Sequence, residues 1–359
     1  MLRFLTAGES HGKCLIAIME GMVANLSLSP EDIDKDLERR QQGYGRGGRM
    51  AIEKDRVEIL SGVRFGKTLG SPICLKIENK DWDNWEKIMT PFPTKTQEAE
   101  IVTKLRPGHA DLAGVIKYNQ KDVRNVLERA SARETAARVA LGGIAKKLLK
   151  EFKVEISSSI VHIGGKSKEK NYKELIDKAK KDGDSVGGVF EVTAQNPPPG
   201  LGSFTHWDKR LDALLAQALM SIPAIKGVEI GLGFEAALLP GSKVHDEITY
   251  REGKFHHKTN NAGGLEGGMT NGEPIVLRCA MKPISTLVKP LQSVDLKTKM
   301  VSPAHVERSD VCAVESAAVI AEAVTALTLA QTLLEKLGGD SLEEVKDNFS
   351  AFQKRLSMI

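Results

Sequence analysis

Apolar residues recur with two different spacings along the chain. At residues 131–152 and 208–221 they lie three or four positions apart, which predicts helices with one buried face. A longer apolar stretch at 313–337 predicts a third helix, which ends at Gly338 and Gly339. Alternating or β-branched runs predict strands at residues 57–63, 73–77, 154–163, 189–193, 228–233 and 275–280.

Capping signals add two helices. Residues 29–42 fit an N-capped helix with proline in its first turn and glycine after its end. Ser341 and Glu344 fit a capping box and predict a last amphipathic helix. Strands and helices come in clusters, with neither a long linker nor a fixed repeat between them. The pattern therefore predicts one α+β domain over residues 1–359.

Composition excludes several classes of protein. Of the 359 residues, 41% are apolar and 27% are charged, which is typical of a globular protein and excludes disorder or a fibre. The N-terminal segment has no apolar leader, and Glu315 and Glu322 interrupt the apolar stretch near the C-terminus. We therefore expect a cytoplasmic protein with no membrane contact.

The cysteines and the net charge narrow the chemistry further. The four cysteines lie far apart without a C-x-x-C pair, which predicts reduced thiols and no metal site. A net charge of +4 is too balanced to indicate nucleic-acid binding. However, 11 of the 17 arginines fall between residues 39 and 138. Arginine binds carboxylates and phosphates bidentately, so this cluster predicts either a small polyanionic ligand or a solvated basic face.

Two short motifs match known active-site patterns outside their usual setting. G-E-S-H-G at residues 8–12 fits the G-x-S-x-G elbow of serine hydrolases, yet only a few residues precede it. Residues 43–48 fit G-x-G-x-x-G but follow a predicted helix, whereas a dinucleotide fold places the motif after a strand. A serine hydrolase using Ser10 stays open as an alternative, as does a non-catalytic module that binds anions or RNA.

Several polar, glycine-containing segments far apart in the sequence form a more specific signal. They include G-E-S-H-G at 8–12, R-P-G-H-A-D at 106–111, S-A-R-E-T-A-A-R-V-A at 131–140 and N-N-A-G-G-L-E-G-G at 260–268. With these motifs the chain resembles the chorismate synthase family over essentially its whole length. One departure is Ala130, where the family often has serine.

The resemblance implies a fold of antiparallel sheets flanked by helices, and a homotetramer. It also implies an anti-1,4-elimination of phosphate from 5-enolpyruvylshikimate 3-phosphate that gives chorismate and requires reduced FMN without net redox change. His11 would protonate the leaving phosphate and His109 would face the flavin, or the two roles are exchanged, while Asp310 would act as a base. NADPH is a candidate reductant, but the motifs do not distinguish enzymes that reduce their own flavin.

The resemblance also implies two sets of binding residues. The substrate's phosphate and carboxylates would be bound by Ser10, Arg40, Arg46, Arg106, Arg133 and Arg308, although some of these arginines could instead pair with structural acids. The flavin would contact Arg129, Ala130, Ser131, Pro223, Ala224, Gly268, Lys282, Pro283, Ile284, Ser285, Thr286 and Arg308. Glycine loops and the helix start at Ser131 suit a phosphate group.

Overall fold

A computed structural model describes residues 1–47, 53–92, 101–251, 253–307 and 309–358. The helices are α1 Pro30–Gln41, α2 Trp82–Met89, α3 Asp111–Tyr118, α4 Arg124–Ala130, α5 Thr135–Lys150, α6 Glu169–Asp182, α7 Leu211–Met220, α8 Gly241–Val244, α9 Val314–Leu337 and α10 Leu342–Leu356. Short 3-10 turns at Ala132–Glu134 and Trp207–Lys209 precede α5 and α7.

The strands form antiparallel sheets. They are β1 Arg3–Ala7, β2 Cys14–Glu20, β3 Ala24–Ser27, β4 Val57–Ser61, β5 Val63–Arg64, β6 Lys67–Leu69, β7 Ile73–Glu78, β8 Glu155–Ile163, β9 Gly188–Gln195, β10 Ile225–Ile230, β11 Ile248–Arg251, β12 Lys254–His257, β13 Leu265–Glu266, β14 Met269–Thr270, β15 Ile275–Met281, β16 Gln292–Val294 and β17 Val301–Pro303. Two four-stranded sheets dominate, in the orders β1-β2-β7-β4 and β10-β15-β9-β8.

Long helices lie between the two large sheets. α5 packs against β2 and β7 of one sheet and against α9, while α9 packs against β8 and β9 of the other sheet. Both helices are apolar around most of their circumference, so they occupy the middle of the core as well as flanking the sheets. α9 is long and apolar enough to cross a membrane, but 89% of its apolar window is buried inside the protein.

A second, smaller core supports one segment of the site. Leu105 and Val115 bury their side chains with Val102, Val123 and Leu127. The R-P-G-H-A-D loop begins directly after Leu105, and α3 begins at its last residue. This cluster therefore fixes both ends of the loop and joins it to α4.

Most of the predicted elements are confirmed. α1, α9 and α10 agree with the predicted helices, and capping boxes form at Ser29 and Ser341. The α+β class with antiparallel sheets is confirmed. The prediction of one strand over 57–63 is wrong, because Gly62 takes a φ of 79° and separates β4 from β5. The prediction at 228–233 is shifted, because β10 starts at Ile225 and ends before Gly231.

Candidate active site

One cavity of about 1000 Å³ collects most of the predicted site residues. It lies where the loops after β1 and α1 meet α2, the R-P-G-H-A-D loop, the start of α5 and the segment after β15. The predicted residues that line it are Ser10, His11, Arg40, Arg46, Arg106, His109, Ala130, Ser131, Arg133, Pro223, Ala224, Lys282, Ile284, Ser285, Thr286 and Asp310.

Three of the predicted residues that the structure describes are not among this lining. Arg129 donates hydrogen bonds to the carbonyl oxygens of Thr6 and Gly8, at 2.9 Å each, and so anchors α4 to the β1–β2 hairpin. Gly268 lies against Arg210 in another loop, where its φ of +82° and the nearby Cγ leave no room for a side chain. Pro283 is exposed. Arg308 lies outside the described residues.

His11 is held by Glu128 and a tryptophan. Its Nδ1 lies 3.0 Å from both carboxylate oxygens of Glu128, and its backbone N–H donates to the same carboxylate at 2.8 Å. A carboxylate only accepts, so Nδ1 carries a proton in this pair. The imidazole also stacks on Trp85, with ring centroids 3.8 Å apart.

His109 is held by Asp111 at the start of α3. Its Nδ1 lies 2.5 Å from Asp111 Oδ1, and Arg106 donates to the two oxygens of Asp111 at 2.9 and 3.1 Å. Although burial opposes ionisation, hydrogen bonds from His109 and Arg106 hold the pKa of Asp111 well below its usual range. Arg106 also donates to Thr286 at 3.2 Å and Glu307 at 3.4 Å, so protein groups engage its guanidinium.

Arg133 and Arg40 share a buried acid, Asp55. Arg133 Nη1 donates to the two Asp55 oxygens at 2.6 and 2.7 Å, and Asn79 accepts from its Nε. Arg40 donates to Thr135 at 3.1 Å, whereas its Nη1 is buried without a hydrogen bond in the described part of the chain, 3.5 Å from Asp55. Burial lowers the pKa of Arg40 to about 10, against the attraction of Asp55.

Asp310 joins the glycine loop after α1 to the segment before α9. Arg46 Nη1 lies 2.8 Å from one of its carboxylate oxygens, and the Gly47 N–H donates to the other at 2.6 Å. A Cβ at Gly47 would come within 2.9 Å of the carbonyl oxygen of Ser309, so this approach requires glycine. The result is an arginine and a carboxylate side by side at the cavity wall.

Lys282 brings an amine to the cavity lining. No hydrogen-bond or ion-pair partner of its Nζ is present among the described residues, and burial together with Lys226 lowers its pKa. Its backbone N–H donates at 2.9 Å to Ala224, which takes a left-handed φ of 69°. Strain of this kind is typical of sites where the backbone must face a ligand.

Ser10 lies outside the setting of a hydrolase elbow. The elbow needs a turn from a strand into a helix, whereas residues 8–12 join the antiparallel strands β1 and β2. Ser10 is also 97% buried, and its N–H donates to the Glu128 carbonyl oxygen at 3.0 Å. This geometry does not support a serine hydrolase.

Sequence reasoning missed several residues that shape the site. They are the acids Asp55, Asp111, Glu128 and Glu307, together with Trp85. Asp111 alone carried a local signal, as the last residue of the R-P-G-H-A-D motif. The other acids contact histidines or arginines between 78 and 201 positions away, which no local pattern reveals.

Comparisons with known proteins point to one family. Residues 2–334 match the family model for chorismate synthase. Chorismate synthases of Caldanaerobacter subterraneus subsp. tengcongensis and Thermoanaerobacter pseudethanolicus are 58% and 57% identical over 352 residues, and each alignment covers 98% of both chains. A crystal structure of a chorismate synthase superposes with a TM-score of 0.81 at 48% identity and covers 100% of this chain and 99% of its own.

The alternatives of a serine hydrolase and of a non-catalytic binding module are set aside by these matches, which extend over nearly the whole chain. The chain belongs to the chorismate synthase family of phosphate-eliminating lyases.

Proposed function

We propose that the cavity around His11 and His109 is where this chain eliminates phosphate from 5-enolpyruvylshikimate 3-phosphate to give chorismate. One observation carries this proposal, namely that two carboxylate-paired histidines and several buried cations meet in a single cavity. Expelling phosphate while a ring proton is lost requires charge neutralisation and proton transfer.

The substrate carries a phosphate and two carboxylates, and the proposed direct ligands for these anions are Arg40 and Arg46. The Nη1 of Arg40 supports this role, because it is buried and makes no hydrogen bond within the described residues. Arg106 and Arg133 each pair with a fully buried acid, Asp111 and Asp55, so we propose that they contribute positive potential and rigidity. Asp310, the acid beside Arg46, is instead 21% exposed. Ser10 would add a hydroxyl, and Arg308 stays a proposed ligand.

Proton transfer is assigned to the two histidines. Since Glu128 and Asp111 each engage an Nδ1, proton exchange with the ligands falls to the Nε2 atoms. We assign His11 to the oxygen of the leaving phosphate and His109 to the flavin, and the exchanged assignment remains the alternative. Asp310, which Arg46 and Gly47 hold at the cavity wall, would accept a proton as the base.

The cavity also fits FMN. Its volume of about 1000 Å³ lies at the upper end of the range for small-molecule sites. Lys282 offers an amine, Ser131 stands at a helix start, and Ala224 exposes strained backbone, all of which suit an anionic cofactor. When bound, reduced FMN supplies an electron-rich ring beside the substrate. Lys282, Ser131 and Ala224 would hold it, together with Ala130, Pro223, Ile284, Ser285 and Thr286.

The remaining assignments are proposals from the family resemblance. They are a homotetramer in the cytoplasm, a single domain, and NADPH as a reductant. Purified protein incubated anaerobically with NADPH and oxidised FMN tests the last of these, because flavin reduction bleaches its visible absorbance. Bleaching assigns a reductase activity to this chain, whereas unchanged absorbance assigns flavin reduction to an external reductant.

An anaerobic assay tests the proposed function itself. The protein receives FMN reduced by dithionite and then 5-enolpyruvylshikimate 3-phosphate, and chorismate and phosphate are measured together. We expect both products in equal amounts with reduced FMN and neither with oxidised FMN. Folded protein that binds FMN but forms no chorismate would overturn the proposal.

A further inference from the structure

Glu128 contacts the Ser10–His11 turn at three points. Its carboxylate accepts the backbone N–H of His11 at 2.8 Å and the ring Nδ1 at 3.0 Å, and its carbonyl oxygen accepts the Ser10 N–H at 3.0 Å. The side chain is 1% exposed and lies in the last turn of α4, which the smaller core packs in place. A helix thereby fixes a hairpin loop that is 117 positions away in the sequence.

The ring of His11 is fixed on a face as well as on an edge. Trp85 stacks on it with an interplanar angle of 22°, and the Trp85 indole N–H donates to Asp81 at 3.1 Å. Arg124 lies 5.1 Å from the Trp85 ring and donates to Glu128 at 3.2 Å. Edge, face and backbone are therefore all held, which leaves the imidazole one orientation.

We propose that Glu128 is a positioning residue for His11, acting in the reaction through the imidazole without touching the substrate. The inference rests on the role given to His11 in the proposed function. By accepting the Nδ1 proton, the carboxylate selects the tautomer in which Nε2 exchanges protons, and its negative charge stabilises the imidazolium that protonates the phosphate oxygen. The proton leaves Nε2, and the neutral ring retains its Nδ1 proton.

Other charges near His11 are left intact by a change at Glu128. They are Arg124 on the same helix, Asp81 beside Trp85, and Glu307. Burial opposes the ionisation of Glu307, but the neighbouring His305, Arg106 and His11 lower its pKa. A Glu128→Gln variant thus removes the negative charge beside the His11 ring and keeps the size of the side chain at position 128. The exposed pair of His206 and Asp208, 2.6 Å apart, supplies a matched control outside the cavity, Asp208→Asn.

The test compares kcat and KM of the wild type, Glu128→Gln, His11→Ala, the double variant and Asp208→Asn across pH in the anaerobic assay. We expect Glu128→Gln to lower kcat about tenfold or more, within the 10²–10⁴-fold that general acid catalysis contributes, with little change in KM. Its alkaline limb should move to lower pH, because loss of the carboxylate destabilises the imidazolium. In the His11→Ala background, Glu128→Gln should add no further loss.

Several outcomes would overturn the inference. Wild-type kcat in Glu128→Gln, an unmoved alkaline limb, or losses that add fully to those of His11→Ala would each reduce Glu128 to a structural role. Should Glu128→Gln not fold, Glu128→Asp, which keeps the charge, tests the same point, and we expect a lower kcat with the wild-type alkaline limb. A wild type that forms no chorismate would instead overturn the proposed function, and the role of Glu128 with it.

Discussion

Asp111 Oδ1 lies 2.5 Å from Nδ1 of His109, and the two residues are two positions apart where a loop enters a helix. The same carboxylate also accepts two side-chain N–H groups of Arg106, so one buried acid fixes a histidine and an arginine at the cavity wall. The short R-P-G-H-A-D motif is thus a self-contained unit in which each polar residue orients another.

Asp111→Asn breaks this unit. We expect the free energy of unfolding to fall by about 3–5 kcal/mol, because the buried Arg106 charge then keeps, of the acids Asp111 and Glu307, only the longer contact with Glu307 at 3.4 Å, and both members of the Arg106–Asp111 pair are at most 5% exposed. Urea unfolding followed by tryptophan fluorescence measures this loss. Asp208→Asn, in an exposed carboxylate–histidine pair, is the control, and an equal loss in both variants would contradict the buried role of Asp111.

The two histidines should be needed for turnover more than for folding. We expect His11→Ala and His109→Ala each to lower kcat by about 10²–10⁴-fold, the usual contribution of a general acid or base. Circular dichroism and the melting temperature should stay near the wild-type values. Near-full turnover in either purified variant would remove that histidine from the mechanism.

Lys282 should contribute to anion binding. We expect Lys282→Gln to weaken FMN binding about tenfold or more, since a charge-assisted hydrogen bond is lost. Lys226→Gln removes an equal charge from a nearby residue that does not line the cavity, and we expect little change there. Fluorescence titration of FMN measures its affinity for both variants. Equal weakening would contradict a direct contact of Lys282 with FMN, because it would show that only the net positive charge near the cavity affects binding.

The pairing of α5 with α9 depends on a small residue. A Cβ at Gly142 would lie 2.3 Å from the Cβ of Ala323 and 2.6 Å from its Cα, so alanine does not fit without a backbone shift. We expect Gly142→Ala to lower the free energy of unfolding by about 1–3 kcal/mol. Thermal unfolding measures this change. A gain in stability, as helix propensity alone predicts, would contradict the close packing.

Glu322 makes the stability of the fold depend on pH. Burial opposes its ionisation, but Arg39 and Lys146 hold the pKa of Glu322 below its usual 4.5. A carboxyl group whose pKa is lowered by folding stabilises the protein at pH values above its pKa in the unfolded chain. This stabilisation is lost as the pH falls through its pKa in the folded protein. Glu322→Gln should therefore cost about 2–3 kcal/mol near pH 7, since Arg39 is 43% exposed, and less below pH 4. Urea unfolding at both pH values checks this, and a pH-independent cost would contradict it.

Sequence patterns predicted the long helices and central strands because these elements bury one or more faces and carry clear caps. α2 escaped prediction because no residue in it is buried, yet its Trp85 stacks on His11. The sequence also did not reveal which arginines pair with acids of the protein and which are left to bind a ligand. Arg133 is committed to Asp55 from 78 positions away, a pairing that only the fold creates. The motifs therefore pointed to residues that share one cavity, while the acids that orient them required the structure.

A crystal structure with oxidised FMN and 5-enolpyruvylshikimate 3-phosphate tests the central claim most directly. We expect both ligands inside the cavity lined by His11, His109 and Asp310, with the substrate phosphate within hydrogen-bond distance of His11 Nε2. Ligands bound outside this cavity, or a substrate phosphate remote from both histidines, would contradict the assignment of the site.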